Sequence, residues 1–187
     1  MPANFAPGPL GQDSTESRGR IDRGTLARVA TPQPTQLAAN APPPQVKPTA
    51  VNPPHVTKFF DALYDVLKKL ADELGINEDY ILALSSYESG WYNPHNSGLC
   101  NPFGLTKAGG NNLAYASPKA AADYWKTQFG PQVRGVTSIK SFTDGLLGKP
   151  HVYNSVNPKW ASNVQAQYAT IVKRKPIWLA QRVKKKT

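Results

Sequence analysis

Asn77-Glu78-Asp79-Tyr80-Ile81-Leu82-Ala83-Leu84-Ser85-Ser86-Tyr87-Glu88-Ser89-Gly90 is the stretch on which the fold turns. Asn77 is a good helix N-cap, because its side-chain oxygen accepts from a backbone N–H of the first turn. Glu78 and Asp79 then suit the positive end of the helix dipole. Ile81, Leu82 and Leu84 carry the helix to about Ser89, and Gly90 stops it. Glu88 breaks the local rule: it stands in the last turn, where the negative end of the dipole disfavours a carboxylate. A residue set against its local preference marks a place to look for function.

Outward from this stretch the pattern stays helical. Upstream, Val56, Phe59, Phe60, Leu63, Leu67, Leu70 and Leu74 recur at helical spacing, with Asp61, Asp65, Lys68 and Lys69 on the other face and Gly75 at the end. Downstream, residues 91–116 are rich in Gly, Asn and Pro and predict loops with at most a short hairpin, Phe103-Gly104-Leu105-Thr106 being the strand candidate and Gly109-Gly110 the turn. A third helix opens with Ser117 as cap and Pro118 at its first position, faces Ala121, Tyr124, Trp125 and Phe129 inward, and closes at Gly130-Pro131. A short helix from Ser138 to Leu147 follows. The last begins at Asn157-Pro158, buries a stripe of Ala161, Val164, Tyr168, Ile171 and Val172, sets Lys173, Arg174 and Lys175 at its negative end, and breaks at Pro176.

Composition divides the chain. Most of the 18 prolines lie before residue 55, and apolar residues there are too sparse to offset ordering entropy. The expectation is a disordered Pro- and Ala-rich arm over residues 1–54, with Ile21 to Val29 as a transient basic helix at most. A mainly α domain then spans 55–175, and a basic tail 176–187. The net charge of +10 favours a polyanionic partner. Nucleic acid, an anionic membrane and an anionic cell-wall polymer all fit that charge. Lys and Arg in the folded part are mixed with acids and form no basic helix motif, so nucleic acid is not the expected partner. Cys100 stands alone, and His55, His95 and His151 are scattered, so neither a disulfide nor a metal site is predicted. The start, Met1-Pro2-Ala3-Asn4-Phe5, lacks a basic and then apolar leader, and ordinary signal-peptide export is not expected.

Glu88 carries the chemistry in this reading. The helix end disfavours its ionised form, and Leu84, Tyr87 and Trp91 would exclude water and disfavour it further. An acid kept protonated near neutral pH can give its proton to a glycosidic oxygen, which is what glycoside cleavage requires.

Tyr87-Glu88-Ser89-Gly90-Trp91, followed by Asn101-Pro102-Phe103-Gly104-Leu105-Thr106-Lys107, resembles the glucosaminidase-type lysozyme superfamily, the mannosyl-glycoprotein endo-beta-N-acetylglucosaminidase-like domain. Tyr115 to Tyr124 is similar to that family's next block, and Tyr153-Asn154-Ser155-Val156-Asn157-Pro158-Lys159-Trp160-Ala161 to its last. The first block is shared with lytic transglycosylases and goose-type lysozymes; the four in order cover about residues 77–175. The resemblance implies a lysozyme-like helical domain with a short β-hairpin lobe, acting on peptidoglycan glycan strands without metal or cofactor. By position, Glu88 matches the catalytic acid and Tyr153 the tyrosine that faces it. Phe103 and Gly104 match the strand lining the groove, Asn101 the start of that block, and Trp91 and Tyr115 would offer flat faces to sugar rings.

One departure is visible. Between Lys107 and Ser117 there is no Asp or Glu, where many glucosaminidases carry a second carboxylate. Asp123 and Asp144 lie in helical contexts that suit solvated roles. Paired carboxylates must sit roughly 5 to 9.5 Å apart across the scissile bond. Hydrolysis, lytic transglycosylation, muramidase action and a non-catalytic wall-binding role therefore stay open. A wall-acting protein without a leader would be made in the cytoplasm and delivered to the wall or periplasm. A phage particle, a lysis cassette or a secretion machine, engaged through the N-terminal arm, would bring it there.

Overall fold

The computed structural model describes residues 50–107, 110–154 and 156–184. These lie in one compact unit, Lys47–Thr187. The arm over residues 1–49, with its Ile21 to Val29 segment, and Gly109 of the proposed turn are outside the described residues.

Among the described residues six helices follow one another: α1 Pro54–Leu74, α2 Glu78–Glu88, α3 Pro94–Gly98, α4 Pro118–Val133, α5 Ile139–Leu147 and α6 Trp160–Lys184. The architecture is mainly α, as expected. α2 is the central element, packed between α1 and α6. Residues Asp79 to Ser86 are all buried, the mark of a helix surrounded on every side. Its polar side chains are satisfied internally: Ser85 Oγ donates to the Pro102 carbonyl (2.8 Å), and Gln167 of α6 donates to Ser86 Oγ (3.0 Å). Asn77 caps it through the Asp79 N–H, as its sequence position predicts. Along α1 every residue of the predicted stripe is buried, and Gly75 takes the left-handed conformation at φ 67° that ends the helix.

Elsewhere the structure departs from expectation. α1 starts two residues earlier, at Pro54, and Asn52 before it is buried, its amide donating to the Arg174 carbonyl (2.9 Å). The 91–116 stretch contains a one-turn helix, α3, capped by Asn93. Among the described residues its hairpin shows one antiparallel bridge, Thr106 with Asn112, and Phe103 to Thr106 form no strand.

Two prolines expected to end helices do not. Pro131 lies within α4 and Pro176 within α6. Each is exposed, as are Thr127 and Val172 one turn earlier. The carbonyl that each proline leaves without an N–H donor therefore belongs to a residue on the exposed face of its helix. Continuing each helix brings an apolar residue into the core, Val133 in α4 and Trp178 in α6. Gly130 packs closely on α1: a Cβ there would lie 3.0 Å from Leu74 Cδ2. Past α4, Arg134 and Gly135 donate to the last carbonyls of α1, Glu73 and Leu74 (2.9 and 3.0 Å). Because α6 runs on, Lys175 is not at its end. It pairs with Glu78 and Asp79 at the start of α2 instead. Tyr124 and Val172, expected to face inward, are 43% and 44% exposed. No helix among the described residues is long and apolar enough to cross a membrane.

Candidate active site

Glu88 is the last residue of α2, followed by Ser89 as C-cap and Gly90 at φ 57°. Its environment is unlike that of any other described carboxylate. Asp65, Asp72, Glu73, Glu78, Asp79, Asp123 and Asp144 all sit in ion pairs with Lys or Arg. Asp61, which accepts from the Trp178 indole, is exposed. Glu88 is half-buried and, among the described residues, takes one hydrogen bond, from Trp160 Nε1 to its Oε1 (2.5 Å). Burial raises its pKa, and the Trp160 hydrogen bond, which favours the charged form, only partly offsets that. The sequence expectation of a raised acid agrees with this geometry. Trp160, which does not figure among the sequence candidates, is the neighbour that holds it.

The loop after α3 is pressed against this helix end. Gly104 has φ 58°, and a Cβ there would stand 2.7 Å from the Glu88 carbonyl oxygen. Only glycine fits both the conformation and the gap. Phe103, 1% exposed, stacks on Trp125 at 5.2 Å. Its carbonyl accepts from the Tyr153 hydroxyl (3.0 Å). Tyr153 lies against Trp160 (5.4 Å between rings) and meets Phe129 edge-on (4.8 Å). Burial, and next the charge of Glu88, push the Tyr153 phenol well above its ordinary value, so it stays neutral. The fold thus brings Glu88, Tyr153, Phe103 and Gly104 together, with Trp160 closing the group. Gly104→Ala is expected to destabilise the protein by about 1–3 kcal/mol from the backbone conformation alone, and to lower activity by moving Glu88. Denaturant unfolding checks the first effect and a wall-lysis assay the second.

No family model matches this sequence, and no curated protein does. Two solved structures share its fold. One is a chain of a type VI secretion system effector–immunity complex from Pseudomonas protegens, with a TM-score of 0.57 at 20% identity, covering 64% of this chain and 93% of that one. The other is a peptidoglycan hydrolase from Sphingomonas sp. A1, with a TM-score of 0.52 at 19% identity, covering 60% and 86%. The chain shares the helical fold of these two structures.

The other sequence candidates make their ring contacts and hydrogen bonds elsewhere, although Tyr115 acts electrostatically on Tyr153. Trp91, at φ 60°, packs edge-on against Phe59 (5.3 Å) and His55 (5.9 Å). It lines a cavity of about 710 Å³ with Lys58, Tyr92 and Pro94, to which neither Glu88 nor Tyr153 contributes. Asn101 is fully buried and acts as an internal brace. Its amide donates to the Leu105 and Leu113 carbonyls (both 2.9 Å) and accepts from the Leu105 N–H (3.0 Å). Tyr115 is half-buried beside Tyr124 (5.7 Å), and burial pushes its phenol up to about 12. Its hydroxyl has no hydrogen-bond partner among the described residues. Tyr87, named by the sequence only as a water-excluding neighbour, accepts from the Asn163 amide of α6 (3.0 Å). Among the described residues no group of three His, Cys, Asp or Glu side chains is placed to hold a metal ion.

Proposed function

We propose that this protein cleaves the glycan strand of peptidoglycan, with Glu88 as the general acid. One observation carries the reading: in a lysozyme-like fold, the carboxyl at the end of the central helix is half-buried, has no cationic partner among the described residues, and has its pKa raised by burial. The Sphingomonas structure of the same fold is a peptidoglycan hydrolase, which supports the substrate class. The net charge of +10 favours an anionic wall polymer. Delivery by a secretion machine fits the likeness to a type VI secretion complex.

In this mechanism the Glu88 carboxylic acid passes its proton to the bridging oxygen as the C1–O bond breaks. No second carboxylate among the described residues shifts Glu88, and a nucleophile supplied by the substrate suits a lone acid. In the glucosaminidase form, the 2-acetamido oxygen attacks C1. Glu88, now a carboxylate, then takes a proton from water, which opens the resulting ring and leaves an N-acetylglucosamine reducing end. The same lone acid also suits lytic transglycosylation. There the muramyl 6-hydroxyl attacks C1, gives its proton to Glu88 and leaves a 1,6-anhydro end. Mass spectrometry of sacculus digests separates the two by the end formed. No soluble fragment from the wild-type protein overturns both and leaves wall binding without cleavage.

The pH dependence follows from the raised pKa of Glu88. Activity needs the protonated form, so it persists above the ordinary carboxylate range and falls as pH rises through the folded pKa. Stability changes in the same direction. The folded state binds this proton more tightly than the unfolded chain, so the contribution is complete below the unfolded pKa and is lost as pH rises through the folded one. Glu88→Gln, which cannot ionise, is therefore expected to melt higher than the wild type at neutral pH, with the difference vanishing in acid. Thermal melts of both proteins from pH 4 to 8 provide the check.

A further inference from the structure

Trp160 opens α6 and is 1% exposed. Its backbone N–H donates to the Asn157 carbonyl (3.0 Å), and its ring rests on Tyr153. The indole is thus fixed before it meets Glu88. An indole N–H can only donate, and its one donor ends on Glu88 Oε1. A protonated carboxyl has two unlike oxygens: the carbonyl oxygen accepts, and the hydroxyl oxygen carries the proton. We propose that Trp160 is the positioning residue of this site: by donating to Oε1 it holds the Glu88 carboxyl in one orientation and leaves Oε2 as the oxygen that bears the transferable proton.

The inference rests on Glu88 being the acid, and it adds what aims that acid. With no ion pair to hold it, the flexible glutamate side chain would otherwise sample several rotamers, and misorientation of a catalytic group is costly. The indole-to-carboxyl pair occurs a second time, from Trp178 to Asp61, but that carboxyl is exposed and water can solvate it. At Glu88 the indole is the one donor among the described residues, and the group it meets is half-buried. The titratable side chain set against it is Tyr153, from the segment before α6, whose proton is committed to the Phe103 carbonyl. No Lys, Arg, His or second carboxylate among the described residues shifts it.

The test removes the N–H and keeps the ring. Trp160→Phe does so with natural residues. Benzothienylalanine at position 160, with sulfur in place of the N–H, keeps the full bicyclic shape should the smaller ring fail to fold. Both are assayed against pH on a soluble peptidoglycan oligosaccharide, beside Glu88→Gln, with thermal melts to confirm folding. The expected result is a kcat about ten- to a hundredfold lower with KM nearly unchanged. The alkaline limb should move to higher pH, because ionised Glu88 has lost its donor. A folded variant whose alkaline limb stays in place, whether or not the rate falls, overturns the proposal and leaves Trp160 a packing residue. Should Glu88→Gln retain activity, the acid assignment fails and this inference fails with it. Should Glu88→Gln be inactive while the position-160 variants keep the wild-type profile, only the inference falls.

Discussion

Glu88→Gln is expected to reduce release of soluble muropeptides by about 10²–10⁴-fold, the range for loss of a general acid. The substitution isolates the proton. Glutamine has nearly the shape of a protonated glutamic acid, and its Oε1 still accepts from Trp160 Nε1, so the packing around the site survives. The amide cannot protonate a departing sugar oxygen. Because burial already disfavours the ionised wild-type side chain, and no ion pair to it is present among the described residues, the replacement removes no charge pair that the fold uses. Loss of activity with unchanged or higher melting temperature is therefore the signature of a chemical role. Chromatography of sacculus digests at matched protein concentration measures it. A variant that releases fragments at the wild-type rate would remove Glu88 from the mechanism.

Trp178→Ala is expected to have the largest effect on stability, about 3–5 kcal/mol. Trp178 is 2% exposed, stacks on Phe60 (5.3 Å), lies against Tyr64 (4.8 Å) and donates its Nε1–H to Asp61 (2.7 Å). Arg182 covers its outer side at 5.1 Å. Truncation loses the area, leaves a cavity at the α1–α6 contact and removes the donor to Asp61. None of these contacts touches Glu88, so the variant should retain catalysis at temperatures where it is folded. Denaturant unfolding gives the free energy directly. A loss under 1 kcal/mol would mean that the helix beyond Pro176 is an appendage with no part in holding the core.

That second expectation turns on a place where sequence and structure part. Pro176 looks like a helix stop because a proline removes an N–H and crowds the preceding turn. The cost depends on whether the bereft carbonyl meets water. At Pro131 and Pro176 the helix face is exposed, and the burial of Val133 and Trp178 further along outweighs it. Periodicity holds best where helix and cap are local, although it misplaces Tyr124 and Val172. The α1 stripe, the Asn77 and Ser117 caps and the stop at Gly75 all depend on residues within a turn or two of one another. Local chemistry is legible locally.

The candidate site divides along the same line. The awkward place of Glu88, at the wrong end of its dipole, was readable because the dipole and the side chain belong to one helix. The need for glycine at 104 was not, since the obstacle is the carbonyl of Glu88 itself, 16 residues earlier in the chain. Nor was the separation of Trp91 from Glu88, three residues apart in sequence. The left-handed turn through Gly90, Trp91 and Tyr92 swings that indole onto α1 and away from the carboxyl.

The sequence by itself determined the helices, their caps and an acid set where ionisation is disfavoured, because hydrogen bonding and side-chain periodicity along one helix act over a few residues. Only the tertiary structure decided which indole meets that acid, that Asn101 braces a loop, and that α6 continues past its proline. Those outcomes depend on contacts between segments tens of residues apart, such as Trp160 with Glu88 and Trp178 with Phe60. Their energies are set by burial, which no local stretch of sequence encodes.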